Sequence, residues 1–179
     1  MKKTIVSLAV CLGIVGCSTM TPARYSVSMD NNQILKQYSG RNVQVSSMTA
    51  PANYESNCRL MGPIHASDNM TIPQFVQKAF NDELKFAGVY ADSGMQLQGA
   101  LDKIEFSSIS GLTGGWWDLG LTLKSSNGKS LSAENRYVFK SGFDAITACN
   151  QTAQALGPAV QDLIKKAISD PAFPTLLAN

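Results

Sequence analysis

Apolar and polar positions follow two different periods along this chain, which predicts a domain of mixed helices and strands. Apolar residues recur every three or four positions at 71–87 and at about 144–169, the second stripe starting with Phe143 and Ile146. Alternating positions predict strands at 42–48, 96–108, 116–125 and 130–141, with a short further strand at 60–66. The expected fold class is α+β: two layers, a mainly antiparallel four- to five-stranded sheet with two amphipathic helices packed on one face.

Both predicted helices carry signals at their ends. Thr71 or Asn69 can cap the first helix, and Gly88 stands where a left-handed cap residue belongs. The segment 141–144 resembles a capping box that opens the last helix. Because proline removes a helix N–H, the pair 157–158 predicts a kink or a division into two short helices.

The strand patterns also predict local register. The apolar phase of 96–108 slips by one position near 102–103, which one extra residue in a β-bulge explains. A two-residue turn at 127–128 would place apolar side chains opposite charged ones. A three-residue loop with Gly128 in the left-handed region instead pairs Leu123 with Leu131, and we prefer it.

The N-terminus has the layout of an export signal. A basic start at 1–3 precedes an apolar run at 5–15, followed by Ile14-Val15-Gly16-Cys17. This block resembles the lipobox of bacterial lipoproteins, which implies cleavage of 1–16 and a covalent lipid on Cys17. Ser18 after the cysteine implies the outer membrane, with the protein on its periplasmic face. An uncleaved anchor or an ordinary secretory signal are the alternatives, although a spanning helix needs roughly 20 apolar residues.

The signal defines the domain limits and the charge. Residues 17–41 are polar and turn-rich, which predicts a lipidated flexible tether with a short helix at 33–38, and 42–179 form one periplasmic domain. Loss of two lysines with the signal leaves 13 basic and 13 acidic residues. A neutral chain without a basic block lacks the footprint of a nucleic-acid binder, so we expect no nucleic-acid partner.

Cysteine use agrees with an oxidising compartment. Cys11 leaves with the signal and Cys17 takes the lipid, so Cys58 and Cys149 remain. We predict a disulfide between these two, with two separate buried thiols as the alternative.

The residues of common catalytic and metal sites are sparse. His65 is the single histidine, which argues against a histidine-based metal site or a nucleophile–histidine machine. We therefore expect no enzyme activity, no metal and no cofactor besides the covalent lipid on Cys17.

One aromatic pair is a candidate protein-binding site. The glycine-rich segment 111–115 predicts a flexible loop that leads into Trp116 and Trp117. Trp117 shares the parity of the core positions, so Trp116 must face the other way, because neighbours in a strand point to opposite faces. We take Trp116, Gly114 and Gly115 as the candidate site; the alternative is that Trp116 packs under the tether or another loop.

The element order, together with the lipobox, is similar to small envelope lipoproteins: YajG-type lipoproteins, domains like the N-terminal domain of TolB, and CsgG-like periplasmic domains. The resemblance covers about 42–170 and includes the helix at 71–88 followed by a strand. The lack of a catalytic signature, the short tether and the candidate aromatic site lead us to expect a non-enzymatic accessory or structural lipoprotein that binds another cell-envelope protein or complex. The alternatives are a lipid- or glycan-binding lipoprotein, with a cavity between sheet and helices lined by Phe75, Phe80, Leu156 and Val160, and a cell-wall hydrolase.

Overall fold

A computed structural model describes residues 20, 22 and 24–178, so Cys17 and the predicted signal lie outside the described residues. The helices and strands, in chain order, are α1 (Met29–Leu35), β1 (Val43–Thr49), α2 (Ile72–Phe86), β2 (Met95–Ser110), β3 (Gly114–Ser125), β4 (Ser130–Lys140), α3 (Ala145–Ser169) and α4 (Phe173–Leu176). Short 3-10 turns occupy Lys36–Tyr38 and Ser67–Asn69. In the described part of the chain, no helix is long and apolar enough to cross a membrane.

The sheet has the order β1-β2-β3-β4, and the predicted two-layer α+β class is confirmed. β1 runs parallel to β2 because α2 connects them, whereas β2, β3 and β4 form antiparallel hairpins. α2 and α3 bury their apolar stripes against one face of the sheet. The core between them includes Phe75, Phe80, Leu97, Leu119, Leu121, Leu156 and Val160. The opposite face of the sheet carries the polar positions of the strands.

The predicted register is confirmed at the β2 bulge and in the β3–β4 hairpin. The pairing of β2 with β3 shifts between Leu101 and Lys103, where the bulge was expected. Leu123 pairs with Leu131 across the β3–β4 hairpin, and Gly128 has φ +86°. The short strand predicted at 60–66 is wrong, since that segment makes a single isolated bridge and the described sheet has four strands.

The first predicted helix is confirmed, and the start of the last one is corrected. Thr71 caps α2 through a capping box with Gln74, and Gly88 has φ +74°. The capping box predicted at 141–144 is wrong: Asp144 itself is the N-cap, and its carboxylate accepts from Thr147 N at 2.8 Å. The chain enters α3 directly after β4 and leaves the first turn of the helix outside the core. Its buried stripe therefore begins at Ala148, after the exposed Phe143 and Ile146.

α3 is one helix of 25 residues despite Pro158, so of the two alternatives predicted at 157–158, a kink or two short helices, the second is wrong. Proline at 158 leaves the carbonyl of Gln154 without its usual N–H partner. Gln154 lies on the exposed side of the helix, where water can solvate that carbonyl. Leu156 and Val160 pack into the core on either side of Pro158, which holds both halves of the helix in place.

The N-terminal segment packs on the domain, so the flexible tether predicted for 17–41 is wrong for 24–41. The predicted helix at 33–38 lies earlier, at Met29–Leu35, and Leu35 is fully buried. The segment is held by the buried carboxylate of Glu83 in α2. Glu83 Oε1 accepts from Tyr25 Oη at 2.6 Å, from Ser28 N at 2.8 Å and from Asn31 Nδ2 at 3.2 Å. Asn31 Nδ2 also donates to Gln161 O in α3 at 3.2 Å, so the segment is tied to both long helices.

The predicted disulfide is confirmed: Cys58 and Cys149 are bonded, with their Cα atoms 5.8 Å apart. It ties the loop after β1 to the second turn of α3. Both cysteines are buried, so the link belongs to the interior of the domain.

Candidate protein-binding groove beside Trp116

The second half of β2 has an unpaired edge. β1 ends at Thr49, whose partner is Ala100, while β2 continues to Ser110. Among the described residues, the loop 50–57 makes no backbone hydrogen bond to 101–107. The backbone groups of 101–107 on the side away from β3 therefore face a loop and solvent. In the first half of β2, the same side is paired with β1.

A groove of about 480 Å³ lies along this edge, and we call it the Trp116 groove. One wall is the loop after β1 and the other is β2 with the neighbouring strand. It is lined by Pro51, Asn53, Tyr54, Glu55, Asp102, Lys103, Ile104, Glu105, Phe106 and Trp116. The lining mixes aromatic rings with both signs of charge, as protein-binding surfaces commonly do.

Trp116 is half-buried, and its indole ring lies under the guanidinium of Arg136, whose central carbon is 4.4 Å from the ring centroid. The guanidinium makes a cation–π contact with the face of the indole ring, which fixes the position of Trp116. Trp117 takes the core position that the sequence predicts: it is fully buried and donates from Nε1 to Thr152 O at 2.8 Å. Trp116 is thus a fixed wall of the groove rather than a freely exposed anchor.

The charged groups beside Trp116 form a closed network on the outer face of the sheet. Asp118 Oδ2 accepts from Lys103 Nζ at 3.0 Å and from Arg136 Nη2 at 2.9 Å. Glu105 approaches the same Lys103 at 3.7 Å. The hydrogen bond to Asp118 raises the pKa of Lys103, against a smaller opposing effect of burial. Each of these charges already has a partner, so the network fixes the side chains around Trp116.

Gly114 and Gly115 belong to strand β3, so the flexible loop predicted at 111–115 shortens to 111–113. A Cβ atom on Gly115 would lie 2.5 Å from the Phe139 ring and 2.9 Å from Ser107 O. A Cβ atom on Gly114 would lie 2.6 Å from the Ser110 carbonyl oxygen. Gly114 allows close packing of β2 on β3, Gly115 also makes room for the Phe139 ring of β4, and neither lines the Trp116 groove.

Sequence reasoning missed most of the groove. Tyr54 and Glu55 lie in a segment that shows only loop character, and Lys103 was singled out solely for the bulge. The sign that was available is the unequal length of the predicted strands: 42–48 has 7 residues and 96–108 has 13. A parallel partner so much shorter must leave part of the longer strand unpaired.

The other predicted positions lie elsewhere. His65 is exposed in the loop that precedes α2. Phe75, Phe80, Leu156 and Val160, the proposed cavity lining, are all at most 1 % exposed and belong to the packed core. Within 24–178, no group of three histidine, cysteine, aspartate or glutamate side chains is arranged to hold a metal ion.

Comparison with known proteins gives a distant structural likeness. No family model matches the sequence, and no curated protein is significantly similar to it. Among solved structures, the chain is similar to the crystal structure of protein XCC0632 from Xanthomonas campestris, described with the family model DUF330. The TM-score is 0.45 at 12 % sequence identity, covering 72 % of this chain and 83 % of that chain.

Proposed function

We propose that this protein is a lipid-anchored periplasmic lipoprotein that acts as a non-enzymatic accessory component by binding an extended segment of another cell-envelope protein in the Trp116 groove. The observation that carries the proposal is the unpaired edge of β2 at 101–107, enclosed by the loop 50–57 and by aromatic side chains. The anchor rests on the lipobox that ends at Cys17.

An unpaired strand edge offers a row of N–H and C=O groups to an incoming strand. Proteins that bind extended peptides in this way gain affinity from main-chain hydrogen bonds and specificity from pockets for alternate side chains. Tyr54 and Trp116 flank the edge and supply such pockets. Lys103 and Glu105 place a charge of each sign along it, which disfavours indiscriminate edge pairing and favours a segment of matching charge.

The alternative functions have weaker support from the same residues. A hydrolase needs a carboxylate or nucleophile free to react, whereas Asp118 is hydrogen-bonded to two cations. A lipid- or glycan-binding site between sheet and helices would require space where Phe80 and Val160 are packed.

The proposal is tested by photo-crosslinking in the cell, with a photoreactive residue at the exposed position 105. The matched control is the exposed position 124, which lies on the outer face of the same sheet at the other end. We expect a discrete crosslinked protein from position 105 and none from position 124. If the folded, lipidated protein gives no product at 105, the groove does not bind a partner.

A charge reversal refines the test. Glu105→Lys reverses one of the three negative charges that line the groove, and we expect it to reduce crosslinking from a photoreactive residue at position 54. Glu134→Lys, an exposed position on β4 outside the groove, is the control and leaves crosslinking unchanged. Equal yields in the two variants would show that the groove charges do not select the partner.

A further inference from the structure

Exposed large apolar side chains concentrate at one end of the domain. Eight such residues occur in the described part of the chain, and five lie at the end where the β2–β3 turn meets the start of α3. We call this surface the apolar end; it consists of Leu60, Ile109, Leu112, Phe143 and Ile146. Each of the five is at least 51 % exposed. A cluster of this kind marks an interaction site, whereas single exposed apolar residues are ordinary.

The apolar end is built from separate segments that are bonded to each other. Arg59, next to Leu60, donates from Nη1 to the Phe143 carbonyl at 3.2 Å and from Nε to Ser108 Oγ at 3.1 Å. Ser141 donates from Oγ to the Ser108 carbonyl at 2.7 Å. The disulfide fixes the same loop to α3. The segments that carry the five apolar side chains are therefore bonded to one another around Ser108 and Phe143.

The apolar end is also poor in charge. The segment 106–117, which contains the β2–β3 turn, has no charged residue. The segment 140–149 has two, the exposed Lys140 at the end of β4 and Asp144, whose carboxylate caps α3. The guanidinium of Arg59 is engaged by three hydrogen bonds to 108 and 143. Low charge and protruding apolar side chains suit the boundary between lipid head groups and acyl chains.

The position of the N-terminal segment indicates which surface covers the apolar end. Pro22, Arg24 and Ser26 line a cleft with α3 between Gln154 and Gln161. Gln154 is nine residues from the start of α3, about 14 Å along the helix. The five residues from Pro22 back to Cys17 span at most about 17 Å. The lipidated cysteine can thus reach the level of the apolar end, but it cannot extend much farther from the domain.

We propose that the apolar end docks on the phospholipid surface in which Cys17 is anchored, with Leu112 and Phe143 inserted at the acyl boundary. This inference rests on the lipid anchor of the proposed function. Lipid attachment and apolar contact then act together, as in other proteins that use two membrane signals. The β3–β4 turn points away from the bilayer, about 36 Å from the β2–β3 turn, because β3 has 12 residues.

The test measures membrane depth in the full lipidated protein, reconstituted in vesicles of phosphatidylethanolamine and phosphatidylglycerol. A spin label is attached to Leu112→Cys, and the control label is attached to Lys129→Cys in the β3–β4 turn. Both positions are exposed, so the labels do not disturb the core. We expect several-fold less collision of label 112 with a water-soluble nickel chelate, and more with oxygen, than for label 129.

Two results would overturn docking. The first is equal accessibility of labels 112 and 129 to the nickel chelate. The second is shielding of label 112 from both the chelate and oxygen, which is the result expected for a contact with a second copy or another protein. Mass spectrometry of Cys17 tests the anchor separately, and crosslinking at position 105 tests the groove separately. If Cys17 carries no lipid, docking is tested by flotation of the unacylated chain with vesicles. Flotation that Leu112→Asp abolishes supports docking, and absence of flotation refutes it.

Discussion

The buried carboxylate of Glu83 holds the N-terminal segment on the domain, and its removal is the sharpest test of this packing. Glu83→Ala leaves the hydroxyl of Tyr25 and the backbone N–H of Ser28 without their acceptor, while the amide of Asn31 loses one of its two acceptors and keeps Gln161 O. Hydrogen bonds to charged groups contribute about 1.5–3 kcal/mol each. Tyr25 and Ser28 are partly accessible and regain water contacts, and Asn31 keeps Gln161 O, so we expect a total loss of about 2–4 kcal/mol.

The assay is urea unfolding of the full mature chain, followed by circular dichroism, together with hydrogen exchange. Asp82→Ala is the matched control, because this neighbouring carboxylate of α2 makes one surface ion pair, with Lys78. Such a pair contributes about 0.3–0.5 kcal/mol. Glu83→Gln keeps an oxygen acceptor and should cost about 1 kcal/mol. We further expect faster amide exchange over 28–35 in Glu83→Ala and unchanged exchange in Asp82→Ala.

Equal stabilities of the Glu83→Ala and Asp82→Ala variants would refute this reasoning. They would mean that apolar contacts of Leu35 and its neighbours hold the segment and that the three hydrogen bonds add nothing. Loss of stability without faster exchange over 28–35 would instead show that Glu83 supports α2 and not the N-terminal segment.

Three further predictions concern the disulfide, alkaline pH and two glycines. Replacing Cys58 and Cys149 by alanine opens a loop of 91 residues and should lower the free energy of unfolding by about 4–5 kcal/mol, measured against the oxidised protein in urea. Burial, followed by the Glu83 carboxylate, raises the pKa of Tyr25 above its ordinary value near 10. The contribution of the neutral phenol to the free energy of unfolding is therefore complete below pH 10 and decreases as the pH rises above 10. Tyr25→Phe should remove this alkaline decline, about 1.4 kcal/mol per pH unit, in unfolding curves compared between pH 9 and 11. Gly115→Ala should destabilise the protein by about 1–3 kcal/mol because the new Cβ meets an aromatic ring. Gly157→Ala should stabilise it by about 0.5–1 kcal/mol because the new Cβ enters open space on a helix. Thermal unfolding should therefore give a lower Tm for the first variant and a higher Tm for the second than for the unchanged protein.

Local periodicity and turn chemistry in the sequence were sufficient for α2, the β2 bulge and the β3–β4 hairpin. Each of these features depends on residues close in the chain, such as Thr71 and Gln74 at the helix start or Gly128 in the hairpin turn. The disulfide partners followed from counting, because two cysteines remain after Cys11 and Cys17 are assigned. The division of α3 was overpredicted, since burial on both sides of Pro158 outweighs one missing hydrogen bond.

The groove, the apolar end and the packed N-terminal segment were decided by the tertiary structure. The free edge of β2 exists because β1 joins it in parallel and stops at Thr49, a pairing that the alternation of either strand does not encode. Phe143 and Ile146 continue the apolar stripe of α3, yet they are exposed, and the buried part of the stripe begins at Ala148. The sequence thus determined which faces are apolar, while the paths of the connecting segments decided which of those faces are covered. Which apolar face is covered depends on contacts between residues distant in the chain, and local sequence patterns do not encode these contacts.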